Sequence, residues 1–159
     1  MTALKLLFFA AAILADPEVR QGSLVWFELT ETMPAVTRAL GAPKLVADFG
    51  NGQRSWQYFL SEGDNHDPSH YLVFGRADGK LVSVTRNFEP ERNIDELFPA
   101  AETTTHYLDA THSYGARVRR LSGGRVLIAP GSMKAGQPAG QLILMRAADV
   151  ARQYPWIKP

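Results

Sequence analysis

Lys44-Leu-Val-Ala-Asp-Phe-Gly-Asn-Gly-Gln-Arg-Ser-Trp-Gln-Tyr-Phe-Leu60 is the stretch whose pattern decides the fold. Asn51-Gly52 is a dipeptide that accepts the positive φ angles of a tight hairpin turn, and apolar runs flank it on both sides. The pattern predicts two antiparallel strands, Lys44 to Phe49 and Gln53 to Leu60. A polar loop leads to a third strand, Tyr71 to Phe74, and Asp78-Gly79 turns the chain into a fourth, Lys80 to Phe88. Trp56 and Tyr58 share a strand face, as do Val82 and Val84. The whole reads as an antiparallel meander ended by Pro90.

Upstream, Ser23 to Leu29 alternates as a strand, with Val25, Phe27 and Leu29 on one face and Leu24, Trp26 and Glu28 on the other. Thr32 is a good N-cap, and Pro34 is tolerated in a first helical turn, where its missing N–H has no partner to lose. Met33, Val36 and Leu40 fall on one helical face, and Gly41 followed by Pro43 supplies a stop. Downstream, Asn93 to Pro99 reads as one capped helical turn. Strands are expected at Thr103 to Leu108, Ala116 to Leu121, Arg125 to Ala129 and Gln141 to Met145, with Ser122-Gly123-Gly124 as a hairpin turn. Gly131 to Gly140 is a glycine- and proline-rich loop, and Ala147 to Tyr154 a closing helix. The fold class is therefore α+β, a short helix packed on an antiparallel β-meander. Residues 16–92 form the first unit, and residues 93–159 are either a second, degenerate α/β repeat or an extension of the same domain.

The N-terminus has the layout of an export signal. Lys5 precedes an apolar run from Leu6 to Ala15, which Asp16-Pro17 ends. Ten apolar residues are too few to span a bilayer, which takes about 20, so cleavage near Ala15 and a periplasmic or secreted location are expected. Without Lys5, sixteen basic residues face sixteen acidic ones. A neutral chain has no electrostatic basis for binding nucleic acid. With no cysteine there is no disulfide, thiolate metal site or lipid-anchoring cysteine, and the fold must be held by its core.

Thr32-x-x-x-Val36-x-x-x-Leu40-Gly41-x-Pro43, then Trp56-x-Tyr58, then Tyr71-Leu-Val-Phe74 with Asp78-Gly79-Lys80-Leu81, resembles the SmpA/OmlA type of small bacterial envelope protein over about residues 29–88. That family is similar in architecture to the β-lactamase inhibitor proteins. The resemblance implies a helix packed on an antiparallel sheet, export, and service as a binding or assembly module rather than as an enzyme.

The candidate sites are few. Asp64, His66, Asp67 and His70 lie within seven residues and are ligand types that zinc accepts; a solvated hairpin connection competes with that reading. His106, Asp109 and His112 offer a second set, but on a strand Asp109 would point away from the two histidines. Ser69 beside His70, and Ser132 before Lys134 in what reads as a flexible loop, lack a nucleophile elbow or an S-x-x-K arrangement. Arg117, Arg119, Arg120 and Arg125 read as the wet face of a hairpin, with a patch for an anionic partner such as lipid headgroups as the sharper alternative. Among the aromatics, Trp56 and Phe74 are expected in the core, while Trp26, Tyr58, Tyr71, Arg117 and Arg119 are candidates for protein contact; Trp156 could join either group. The sequence thus points to an exported, non-enzymatic protein-binding or envelope-assembly module with no cofactor and no transmembrane segment. Its partner would be another envelope or secreted protein. The alternatives are a metal-dependent enzyme on His66 and His70, and a secreted inhibitor of an extracellular enzyme.

Overall fold

The computed structural model describes residues 29, 31–50, 52–59 and 70–158. The signal segment, the strand expected at Ser23 to Leu29 with Trp26, apart from the buried Leu29 itself, and the loop carrying Asp64, His66, Asp67 and Ser69 lie outside the described residues.

Helix α1 spans Met33–Leu40, with Pro34 in its first turn. Thr32 holds the N-cap position in extended conformation without a side-chain cap; its backbone instead bridges to Lys80. Val36 is fully buried, and Met33, Ala39 and Leu40 pack half-buried on the same core. Gly41 closes the helix by donating its N–H to Thr37 O at 2.9 Å, at φ 79° and ψ −168°. That pair lies outside the left-handed helical basin, in a region open essentially to glycine alone.

Strands β1 (Leu45–Gly50), β2 (Gln53–Tyr58), β3 (His70–Phe74) and β4 (Leu81–Arg92) form the expected meander. β4 runs past Pro90 because the ladder with its later partner is irregular between Asn87 and Arg92, so no regular pairing there needs the missing N–H. Two short 3₁₀ turns, Asp95–Leu97 and Ala100–Glu102, follow; the side chain of Asn93 accepts from the N–H of Asp95 at 2.8 Å. The second half adds β5 (Thr103–Tyr107), β6 (Gly115–Leu121), β7 (Arg125–Pro130), β8 (Ala139–Arg146) and helix α2 (Ala147–Gln153).

The expected class is corrected by the strand order. The eight strands form one antiparallel sheet, β1-β2-β3-β4-β8-β7-β6-β5. The architecture is not a short helix on a meander followed by a second repeat: β8 pairs with β4 on one side and β7 on the other, so the second half completes the first sheet. The physical reason lies in β4 and β8 themselves. Leu81 to Val84 and Leu142 to Met145 are buried throughout, on both faces; a strand of that kind needs a neighbour on each side and a cover above and below.

Alternation along these central strands separates two cores. Leu72, Phe74, Val84, Leu127, Leu142 and Leu144 join α1 and the Ile94–Phe98 segment on one face. Val118, Val126, Ile128, Ile143 and Met145 join Val150 of α2 and Ile157 in a second core, opposite by strand alternation. Among the described residues no helix is long and apolar enough to cross a membrane.

Because a Cβ on Gly41 would meet open space, substitution there tests backbone conformation alone. Gly41→Ala is expected to lower stability by about 1 to 3 kcal/mol and Gly41→Val by more. Leu40→Ala, at a half-buried position, falls near the low end of core truncations, about 2 kcal/mol. Denaturant titration measures all three; a Gly41→Val protein as stable as the parent refutes the conformational argument.

Candidate functional site

Two of the four arginines expected on a wet face, Arg117 and Arg119, lie under cover. Arg117 is 3% exposed: Nη1 donates to Asp95 at 2.6 Å, Nη2 donates to Ser132 Oγ at 2.9 Å and Gln137 O at 3.3 Å, and the guanidinium sits 5.2 Å from the Phe98 ring centre. Arg119 donates to both Glu102, through Nε at 2.8 Å, and the Leu97 carbonyl. The wet-face reading fails because the 3₁₀ segment folds over that side of β6, and strand alternation cannot distinguish an open face from a covered one. Arg120 is exposed, and Arg125 donates to the carbonyl and hydroxyl of Ser122 across its own turn.

Ser132 is fully buried, which corrects the flexible-loop reading of Gly131 to Gly140. Its hydroxyl donates to Gln137 O at 2.8 Å, and the Gln137 amide spans the loop, donating to Gly131 O and accepting from the N–H of Met133. Asp95 also accepts from the N–H of Gly136, and the Arg117 guanidinium, with that N–H, holds its carboxyl below the usual range. Arg117 and Ser132 are therefore structural anchors.

His70 is the first residue of β3, not part of a solvated connection, and is fully buried. Its Nε2 lies 3.0 Å from Arg86 Nη1. Burial first, then the Arg86 charge, lowers its pKa to about 4. A nitrogen facing a guanidinium is poorly placed to hold a cation. No cluster of three metal-ligating side chains occurs among the described residues. The second histidine set also separates: β5 stops at Tyr107, His112 turns back to stack on the Tyr107 ring at 4.0 Å, and Asp109 is taken by Thr111 and Ser113.

Tyr58 is buried, its hydroxyl donating to the Gly41 carbonyl at 3.1 Å, so it belongs to the α1 core rather than to a contact surface. Trp56 packs 4.9 Å from Phe74, half-buried, and Tyr71 is half-buried on β3. Trp156 meets Tyr154 and Tyr114 edge-on.

Two features remain open. The first is β1, every residue of which is exposed. The second is a polar cleft of about 560 Å³ between the β3–β4 turn and α2, lined among others by Gln53, Gly75, Arg76, Asp78, Arg146 and Arg152. Neither was read from the sequence as a site. Leu45, Val46 and Phe49 look like core residues by type, and the cleft's arginines span 76 residues of the chain, from Arg76 to Arg152.

No family model and no curated protein matches the chain. Two solved structures are similar in part. One is a cysteine-rich secretory protein from Staphylococcus aureus subsp. aureus Mu50, with 13% identity, TM-score 0.49, and coverage of 89% of this chain and 51% of that one. The other is an extracellular protein containing a SCP domain from Bacillus anthracis str. Ames, with 12% identity, TM-score 0.46, and coverage of 87% and 53%. The chain spans about half the length of each, and at such scores neither activity nor location transfers to it.

The buried His70 has a testable pH signature. Its folded pKa is depressed, so the unfolded chain takes up a proton near pH 6.5 that the folded chain refuses until about pH 4. Stability is then complete above about 6.5 and declines as pH falls through that window, by roughly 3 kcal/mol. His106, lowered by burial and by Arg120, adds with the same sign. Denaturant midpoints from pH 7 to 4 should show the decline in the parent and a shallower one in His70→Gln; equal slopes would remove His70 as the cause.

Proposed function

We propose that the protein is an exported, non-enzymatic binding module that takes an extended segment of another envelope or secreted protein onto the edge of β1 that no other strand among the described residues pairs with. One observation carries this reading: the large apolar side chains of that edge strand, Leu45, Val46 and Phe49, are 52%, 57% and 48% exposed. Soluble proteins blunt sheet edges with charge, proline, bulges or a cover, because unpaired N–H and C=O groups invite pairing. β1 carries one charge, Asp48, and one irregularity, between Asp48 and Gly50. The opposite edge, β5, is Thr-Thr-Thr-His-Tyr, polar over four of its five residues.

Strand addition draws affinity from main-chain hydrogen bonds and specificity from alternate side chains. Leu45 pairs opposite Gln57 and Val46 opposite Trp56, so the two point to opposite faces of the sheet. The fitting occupant is a partner's extended segment with apolar side chains on both faces. Export is supported by Lys5 and the apolar run to Ala15, and a binding role by the resemblance of residues 29–88 to the SmpA/OmlA type.

A photo-cross-linking residue placed at Val46 is expected to capture a protein from the producing cell's envelope or secreted fraction. The same residue at Thr104 on β5 should capture none. Binding of the captured protein should weaken about tenfold or more in Leu45→Lys/Val46→Lys, since an apolar neighbour would bury unpaired charge, with an unchanged denaturation midpoint. Capture indifferent to that double substitution, or small-molecule turnover with no protein captured, overturns the proposal.

A further inference from the structure

The cleft beside α2 gathers three guanidinium groups from three different elements: Arg76 on the turn after β3, Arg146 at the end of β8, and Arg152 on α2. Two carboxylates share it. Asp149 is almost fully buried, and both its oxygens are taken, by Arg146 Nε at 2.7 Å and by Arg152 Nη2 at 2.5 Å. Asp78 accepts from the N–H of Lys80 at 3.0 Å and from Arg146 Nη1 at 3.4 Å. These contacts fix the arginines without using up their donors. A guanidinium has five N–H bonds, and Arg152 shows one of its nitrogens engaged. Arg76 is exposed and has no ion pair among the described residues; its side chain lies across the turn at Gly52, where a Cβ would run into Arg76 Cδ and come within 2.9 Å of its Nη1.

The floor is kept open by Gly75. A Cβ there would come within 2.9 Å of Asp78 Oδ1 and 3.6 Å of Arg146 Nη2, so a side chain would intrude where the charged groups converge. Three cations against two anions leave the cleft one positive charge in excess, inside a chain that is otherwise nearly balanced.

We propose that this cleft binds a phosphate-type oxyanion, with Arg76 and Arg152 as its donors on opposite walls and Arg146, held by Asp149 and Asp78, setting the positive floor. A phosphate group presents several acceptor oxygens and suits donors arriving from separate elements, as guanidinium forks recognise phosphate and carboxylate. The site is independent of the β1 edge. Loss of one binding activity leaves the other standing.

The test uses the full chain, titrated calorimetrically with inorganic phosphate and, separately, with vesicles of phosphatidylglycerol or of phosphatidylcholine. Saturable phosphate binding is expected, weakened about tenfold by Arg76→Gln and again by Arg152→Gln, each removing a charge-assisted hydrogen bond. Arg54→Gln, an exposed arginine on β2 outside the cleft, should bind as the parent does. Binding of phosphatidylglycerol vesicles with the same dependence on Arg76 and Arg152 assigns the oxyanion to a headgroup; binding of free phosphate alone assigns it to a soluble ligand. Arg76 has no hydrogen-bond or ion-pair partner to lose among the described residues, so its variant should keep the parent's denaturation midpoint. Absence of saturable binding to either probe, or binding unchanged in both variants, overturns the proposal.

Discussion

The ladder between β4 and β8 is the joint on which the rest of the molecule depends. Ser83 to Asn87 pairs with Gln141 to Met145 in unbroken antiparallel register, and Val84 lies opposite Leu144 with β3's Leu72 beside it on the same face. Each half of the chain is a four-stranded meander whose last strand, β4 or β8, is buried on both faces along part of its length. Fully burying an aliphatic side chain stabilises by about 1.5 to 3 kcal/mol, and either half alone would leave its last strand, with those buried positions, at an edge. Pairing the two strands removes both edges at once. It also makes each face continuous enough to take a cover, α1 with the Ile94–Phe98 segment on one side and α2 with Ile157 on the other.

The cover on the first side is pinned by charge rather than by apolar area alone. Arg117 reaches from β6 to Asp95 and to the loop after β7, and Asp95 reaches back to that loop through Gly136. A buried guanidinium without acceptors would be strongly unfavourable, and removing one partner of such a set leaves an uncompensated charge. The network therefore fixes the loop's position more than it adds net stability. It accounts for the order of a segment whose glycine and proline content suggested the opposite.

Element positions were largely legible in the sequence, because each rests on local rules. The helix at Met33–Leu40 follows from the Thr32, Pro34 and Gly41 signals, and several second-half strands follow from runs bounded by glycines such as Gly123-Gly124 and Gly131. The pairing of β8 with β4 was not legible, since alternation within a strand carries no information about which other strand lies beside it. The polar residues failed for a related reason. Arg117 and Arg119 alternate with Val118 as surface residues do, and only the fold of residues 93–102 over them turns that face inward. His70 looked like part of a polar loop, yet it begins a strand directly opposite Arg86, 16 residues away in the chain. The cleft combines residues of β2, the β3–β4 turn and α2, so no local window contains it.

Placing β4 and β8 at the centre leaves β1 and β5 at the margins, and the chain treats those margins differently. β5 offers threonines, with the side chain of Thr105 spent on the carbonyl of Met133 and that of Thr104 meeting His106 and the Val118 carbonyl. Among the described residues β1 has only Asp48 and the irregularity before Gly50, and its apolar side chains flank that edge on both faces. An edge that served only to end the sheet could carry lysine or threonine at Val46 at little cost, because that side chain is already more than half exposed. Retaining large apolar groups there exposes the chain to self-association, and that liability makes physical sense where a strand from a partner covers the edge.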